Sequence, residues 1–363
     1  MRVYLGKAFL ILLGTVFPFL LLELLVRLIP FAVLPPPLNT LVEEMDTGAR
    51  RYYREDKELR HTIKRDTDLE FKHPEFSFRL KTNLNFPDAG FRGGTLGGPA
   101  WGIALGDSFT FGAGVNQEAT WVARLAALAK QDVINLGVPG YGPIQYTRAL
   151  EKYGLPLTPK IVFYTLYTND LEDCVRFEQW LNGHRRKMSI KRYLRQNSIT
   201  YNLFSKLTGL RKSKSRYIEV PDLGVMLIPR KLNDPYDLGK TKYSSGWTLA
   251  ARQIEKAYEY SKRIDAKFVL LYFPSKEEVY WDRVKATAQR FSSFEKWRDK
   301  LRNDVEEFCA SRQLFCLDLN TALRAKGSNG EKLYFSVDFH WNEIGHRAVA
   351  EEIHKFLSNT KIL

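Results

Sequence analysis

Five short apolar runs, WGIAL (101–105), DVINL (132–136), KIVFYTLY (160–167), KFVLLYF (267–273) and LFCLDL (314–319), set the frame of this 363-residue chain. Between them lie stretches with the spacing of amphipathic helices. Thr120–Lys130 puts Trp121, Leu125 and Leu128 on one face, and Ile144–Tyr153, Trp247–Ile264 and Phe294–Ala310 follow; His346–Leu357 closes the chain as a helix. Strands that alternate with helices predict a parallel sheet covered on both faces, joined by right-handed crossovers. KIVFYTLY is apolar nearly throughout, as a strand buried on both sides must be. In such sheets the functional crevice lies at the carboxyl ends of the strands.

The most apolar stretch of all lies outside this pattern, from about Tyr4 to Leu34, interrupted by Lys7, Pro18, Glu23 and Arg27. It is long enough to span a bilayer. A cleaved signal peptide and a buried core helix are the alternatives, but no small-x-small cleavage site follows the apolar core, so an uncleaved signal anchor fits best. Arg2 and Lys7 precede it and Glu43, Glu44 and Asp46 follow, which puts the N-terminus in the cytoplasm and the large domain outside; Arg27 works against that orientation.

Residues 1–35 are therefore expected to be the anchor, 36–100 a linker and extended arm, and 101–358 the main domain. In the second part, Leu41–Lys64 reads as a charged helix and 65–100 as irregular. An insertion at about 174–245 breaks the alternation: its first half is a basic amphipathic helical stretch, and YIEVPDLGVMLIP suits a small β element. The net charge of +14 belongs to this insertion. Arg176–Arg216 holds twelve Lys/Arg against Glu178 alone, a local +11, which leaves only +3 for everything else. Such a patch suits an exposed lid, anionic lipid head groups or an acidic polysaccharide. Nucleic acid is excluded as partner by the expected anchor and export. Three cysteines make no disulfide framework; Cys309 and Cys316 are close enough to bridge a small loop in an exported domain, leaving Cys174 free. No C-x-x-C or histidine cluster points to a metal, and no cofactor motif is present.

Each local motif follows a predicted strand. After WGIAL comes GDSFTFGAG, with Ser108 at a strand-to-helix turn; after DVINL comes GVPGYGP; after KIVFYTLY comes TND with Asn169; and near the C-terminus stands VDFHWNEIGH, with Asp338 and His340 two residues apart. Singly, none is diagnostic, since a serine after a strand is commonly a helix cap and an asparagine commonly forms an Asx-turn. Order and placement at one sheet edge make them informative together.

GDSF, NLGVPGYG, TND and DFHWNEIGH resemble, in order, the four blocks of the SGNH (GDSL-type) hydrolase superfamily, over roughly residues 101–355. The resemblance implies a three-layer α/β/α fold with a central five-stranded parallel sheet, flavodoxin-like, here with an N-terminal transmembrane helix and a basic helical insertion added. It implies Ser108 as nucleophile, His340 as base and Asp338 as the carboxylate that orients it. The backbone N–H groups of Ser108 and Gly140 and the amide of Asn169 become the oxyanion hole. The family's usual last block separates Asp and His by three residues, and the two-residue spacing here opens the alternative that Asp338 bonds the backbone instead. The D-x-H-W-N form resembles a variant found among members acting on exopolysaccharides or cell-surface glycans. His346 is the reserve histidine, expected to pack at the start of the last helix. Asp107, Tyr141 and Trp341 are candidate substrate contacts, the two rings either stacking on a sugar or packing in the core.

The expectation is a membrane-held serine esterase, a carbohydrate O-acetyl esterase or O-acyltransferase on an extracytoplasmic (periplasmic) polysaccharide. The alternatives are a lipid esterase or thioesterase, and a non-catalytic glycan-binding subunit of a polysaccharide assembly machine.

Overall fold

A computed structural model describes Gly14 and residues 17–28, 51–93, 100–183, 190, 193–194, 198–202, 204, 217–220, 222–223, 227–229, 239–285 and 299–363. The chain divides into two compact units, residues 1–51 with 185–216 and residues 52–184 with 217–363.

The larger unit is built on five strands: β1 (Gly102–Leu105), β2 (Val133–Asn135), β3 (Ile161–Leu166), β4 (Lys267–Tyr272) and β5 (Phe315–Asp318). Their spatial order is β5-β4-β3-β1-β2, and every neighbouring pair is parallel. Period-two alternation divides their side chains between two cores. Val162, Tyr164 and Leu166 of β3 and Phe268, Leu270 and Tyr272 of β4 enter one core. Ile161 and Phe163 with Val269 and Leu271 enter the other. The first core is closed by Ala250, Ile254 and Ala257 of Gly239–Arg263 and by Leu301, Val305 and Phe308 of Lys300–Arg312. The second is closed by Trp121, Val122 and Leu125 of Trp121–Ala129 and by Val349, Ile353 and Leu357 of Glu343–Asn359. Each large aliphatic or phenylalanine side chain fully buried in these cores is worth about 1.5–3 kcal/mol over its exposed state, so covering both faces of the sheet with helices is favoured. The expected sheet is present.

The helices run close to expectation, with differences at the ends. Pro143–Ala149 continues as a π-helical turn over Leu150–Gly154. The helix expected from Trp247 begins at Gly239, and residues 294–298 of another lie outside the described residues. In the insertion, Tyr217–Glu219 pairs antiparallel with Leu227–Pro229, the small β element expected there. Cys309 and Cys316 form a disulfide, and Cys174 is free and buried.

The arm departs most from expectation. Residues 53–63 are not helical: Tyr53–Asp56 and Arg60–Ile63 form an antiparallel hairpin, the turn ending at Arg60 with φ +71°. Residues 68–81 are not irregular: Asp68–His73 pairs with Phe76–Lys81, and Leu84–Asn85 with Gly90–Phe91. Hairpin formation wins because it buries Leu59, Ile63, Phe78, Leu80 and Leu84 in the first core.

In the smaller unit, residues 17–28 are helical. Glu23 accepts hydrogen bonds from Ser198 Oγ (2.8 Å) and from the backbone N–H groups of Ile199 (3.0 Å) and Thr200 (2.9 Å), and Arg27 pairs with it at 2.8 Å. Among the described residues no helix is long and apolar enough to cross a membrane. The rest of the expected anchor, and most of the basic stretch, lies outside the described residues; positions 190, 193–194, 199–202 and 204 within that stretch are helical.

Candidate active site

The sheet order 2-1-3-4-5 reverses direction between β1 and β3, the point at whose carboxyl ends such sheets place their functional sites. Ser108 follows β1, Gly140 follows β2 and Asn169 follows β3. The turn after β1 is tight because Gly106 has no β carbon; one there would lie 2.1 Å from Thr110 Oγ1 and 2.2 Å from Thr165 Oγ1. Asp107 Oδ1 then accepts the Phe109 N–H (2.9 Å) and caps the short helix Ser108–Phe111. Asn135 ties this turn to the next loop: its Nδ2 donates to the Thr110 carbonyl (2.7 Å) and its Oδ1 accepts the Gly137 N–H (2.9 Å).

On the other side, the segment before the last helix folds back on itself. Tyr334 and Trp341 form an antiparallel bridge, and the Phe335 N–H donates to the His340 carbonyl (3.1 Å). Asn342 caps the helix Glu343–Asn359 through the N–H groups of Ile344 and Gly345. The excursion between carries Asp338 and His340 to Ser108. His340 Nε2 lies 2.7 Å from Ser108 Oγ, and His340 Nδ1 lies 2.7 Å from Asp338 Oδ1. The two-residue spacing proves no obstacle, because Asp338 Oδ1 accepts both the ring and the backbone N–H (2.8 Å) of His340. Burial opposes the charge on Asp338, yet the hydrogen bonds and charge of His340 outweigh it and hold the carboxyl below its usual range. The imidazole packs beside two rings, Phe109 (5.0 Å) and Phe339 (4.2 Å).

Gly140 is exposed, with φ +79°, a conformation glycine adopts without strain. Asn169 is half-buried at the first turn of Asp170–Leu181; its Nδ2 donates to Asp173 Oδ2 (3.0 Å), which engages one of two amide hydrogens. Its Oδ1 is buried without a partner. Burial pushes the Asp173 carboxyl up to about 7 against the pull of Arg176, and pushes Asp170 well above the carboxylate range. Asp170 is satisfied by Tyr146 Oη (2.6 Å) and the Tyr167 N–H (2.7 Å).

The candidate substrate contacts are corrected by burial. Tyr141 and Trp341 are fully buried. Trp341 packs edge-on against Phe109 (4.8 Å) and Phe273 (4.7 Å), so its ring is core and offers no face to a sugar. Tyr141 donates to the His61 carbonyl (2.6 Å), and Asp107 is buried, its Oδ1 engaged in the cap and its Oδ2 without a hydrogen-bond partner. His346 is buried at the start of its helix with Nδ1 accepting the Trp121 N–H (3.2 Å), the packing role expected of it.

Four residues that sequence patterns did not single out grip the site loops. Arg92, from the arm, donates to the carbonyls of Phe111 (3.1 Å), Gly112 (2.6 Å) and Val115 behind the Ser108 turn. Glu75, at the tip of an arm hairpin, accepts the N–H groups of Val337 (2.8 Å) and Asp338 (2.7 Å). Lys276 holds the same loop by the carbonyls of Phe335 (2.7 Å), Ser336 (2.8 Å) and Asp338 (3.3 Å), with burial pulling its pKa down to about 8. Phe76 packs on Phe335 at 4.5 Å.

A strand-turn serine, a histidine and a carboxylate in hydrogen-bonded series define a serine-hydrolase arrangement. Residues 104–348 match the GDSL-like Lipase/Acylhydrolase family. The chain belongs to that family and is an ester hydrolase. Among curated proteins, none matches it. Solved structures similar in fold include a catalytic mutant of an acetylxylan esterase from Geobacillus stearothermophilus, at 12% identity and TM-score 0.40 over 72% of this chain and 95% of that one. They also include an alpha/beta hydrolase from the metagenome of Lake Arreo, Spain, at 12% and 0.41 over 72% and 97%. A third is a GDSL-like lipase from Bacteroides thetaiotaomicron, at 13% and 0.36 over 71% and 88%.

Proposed function

We propose that Ser108 attacks an ester carbonyl and carries the acyl group as a covalent intermediate. The observation behind this reading is the unbroken series Ser108 Oγ, His340 Nε2, His340 Nδ1, Asp338 Oδ1, each contact 2.7 Å. His340 takes the Ser108 proton as the Oγ–C bond forms, and Asp338 stabilises the resulting imidazolium. The N–H groups of Ser108 and Gly140 and the remaining amide hydrogen of Asn169 receive the oxyanion. Collapse of the tetrahedral intermediate breaks the ester C–O bond, and His340 passes its proton to the leaving alkoxide. Water, activated by the same imidazole, then releases the acid; a sugar hydroxyl in its place completes a transfer.

The substrate in this reading is an O-acetylated extracytoplasmic polysaccharide, worked on by a membrane-held enzyme. Three features support it. The D-x-H-W-N spacing resembles glycan-directed members. The Cys309–Cys316 disulfide suits an oxidising compartment. Leu20, Leu24 and Leu28 are exposed on the 17–28 helix, which suits an apolar surrounding, and the basic Arg176–Arg216 segment suits an anionic polymer or lipid surface.

One observation favours a second reading. Val337 and Phe339, each 48% exposed, stand beside Asp338 and His340 and would accept an apolar acyl chain, as a lipid esterase or thioesterase requires. A chain-length series of p-nitrophenyl esters separates the two: kcat/KM highest for acetate supports the deacetylase, and a maximum at eight carbons or more overturns it. Release of acetate from an acetylated polysaccharide, absent in Ser108→Ala, tests the substrate class directly.

A further inference from the structure

The Gly140 N–H needs something to aim it, and the structure shows what holds its peptide. The Pro139–Gly140 bond is trans, so its carbonyl and its N–H point to opposite edges of one plane. Two side chains of the first arm hairpin hold the carbonyl: Tyr53 Oη donates to it at 2.7 Å and His61 Nε2 contacts it at 3.1 Å. A carbonyl only accepts, so His61 carries a proton on Nε2 in this contact. The donors are fixed in turn. The His61 ring lies 4.4 Å from that of Tyr53 and 5.2 Å from that of Tyr141. Tyr141 Oη donates to the His61 carbonyl, and Gln145 Nε2 donates to the Leu59 carbonyl (2.9 Å) at the hairpin turn. At the other edge of the plane, the Gly140 N–H has no acceptor among the described residues.

We propose that Tyr53 and His61 are positioning residues of the oxyanion hole. By gripping the Pro139 carbonyl they fix the peptide plane and polarise it, so that the Gly140 N–H stands ready for the charge that develops on the substrate. The proposal rests on the oxyanion role assigned to Gly140 above. Neither side chain touches the reacting atoms; both act through one peptide unit. Hydrogen bonds in series strengthen one another, and a donor aimed in advance costs no reorganisation in the transition state. The arm is thereby part of the active site, although its two contributing residues lie 86 and 78 positions before the loop they hold.

The test uses the full chain with Tyr53→Phe, His61→Leu, the double variant and His61→Gln, which keeps an N–H donor. Turnover of p-nitrophenyl acetate is measured per active site, sites being counted by titration with a fluorophosphonate. Affinity for an arylboronic acid, whose tetrahedral Ser108 adduct places an oxygen in the hole, is measured alongside. Loss of a whole oxyanion donor costs about 10²–10³ in kcat. Each single variant is expected to lose about tenfold in kcat with KM within about twofold, and the double variant about a hundredfold. Boronate affinity should fall in parallel, and His61→Gln should recover part of the loss. A double variant whose rate per titrated site stays within twofold of the parent, while Ser108→Ala is dead, overturns this inference alone. Full activity in Ser108→Ala overturns the serine reading and this inference together.

Discussion

Replacing Asp338 by asparagine leaves the shape of the site nearly intact and removes one charge. Asp338 Oδ1 accepts both the ring and the backbone N–H of His340, so an asparagine oxygen in its place still accepts both and keeps the same tautomer. What is lost is attraction between a carboxylate and the imidazolium that forms when Ser108 attacks. Two unit charges about 4 Å apart near a protein surface interact by about 4 kcal/mol at an effective dielectric of about 20. Asp338 is 22% exposed and His340 13%, which places the pair in that regime and not in the dry interior. At about 1.36 kcal/mol per decade, kcat should fall about 10³-fold with little change in KM. The assay is steady-state hydrolysis of p-nitrophenyl acetate with sites counted by titration, and a thermal melt as the fold control. A loss below about fivefold with the fold intact would refute the reasoning, because the carboxylate would then be structural only.

Four further outcomes follow from the geometry. Glu75→Ala frees the N–H groups of Val337 and Asp338, and kcat should fall about tenfold through misplacement of the dyad; steady-state kinetics check this, an unchanged kcat contradicting it. Trp341→Phe should leave KM for any glycan ester within about twofold while lowering stability by about 1–3 kcal/mol, read by urea denaturation, because the ring is core. Reduction of Cys309–Cys316, seven residues apart, should cost about 2.5 kcal/mol by loop-closure entropy, seen as a lower melting temperature with dithiothreitol. His346 is held neutral mainly by burial, with its pKa lowered to about 3. The unfolded chain then binds one more proton between about pH 6.5 and pH 3, so stability falls on acidification through that window, by up to about 4 kcal/mol. His346→Asn, which can still accept the Trp121 N–H, should flatten that part of the stability-against-pH curve.

The sheet was legible because its strands are buried on both faces: Ile161–Leu166 and Lys267–Tyr272 cannot be read as surface. Ser108, Asn169 and His340 were legible because each lies in a short block and local chain geometry carries it to the carboxyl edge of the sheet. The arm departs from its sequence pattern for a physical reason. The run YYREDKELRHTIK has helical residues in quantity, but its conformation is decided by burial of Leu59 and Ile63 in a core formed by residues far along the chain. A local signal did exist in FSFRLK, whose alternation sends Phe78 and Leu80 inward and Ser77, Arg79 and Lys81 outward. Tyr141 and Trp341 show a different limit: adjacency to a catalytic residue along the chain does not say which way a ring points. Tyr53, His61, Glu75 and Arg92 meet their loops across 19 to 263 positions of sequence, and no spacing rule encodes such contacts.

The central claim is that Ser108, activated by His340, carries the acyl group. Intact-mass measurement after reaction with a fluorophosphonate, with peptide mapping of the adduct, tests it most directly. The expected result is one phosphonyl group per chain, on Ser108, absent in Ser108→Ala and formed at least a hundredfold more slowly in His340→Ala. An adduct on another residue, or ester turnover that survives in Ser108→Ala, would contradict it.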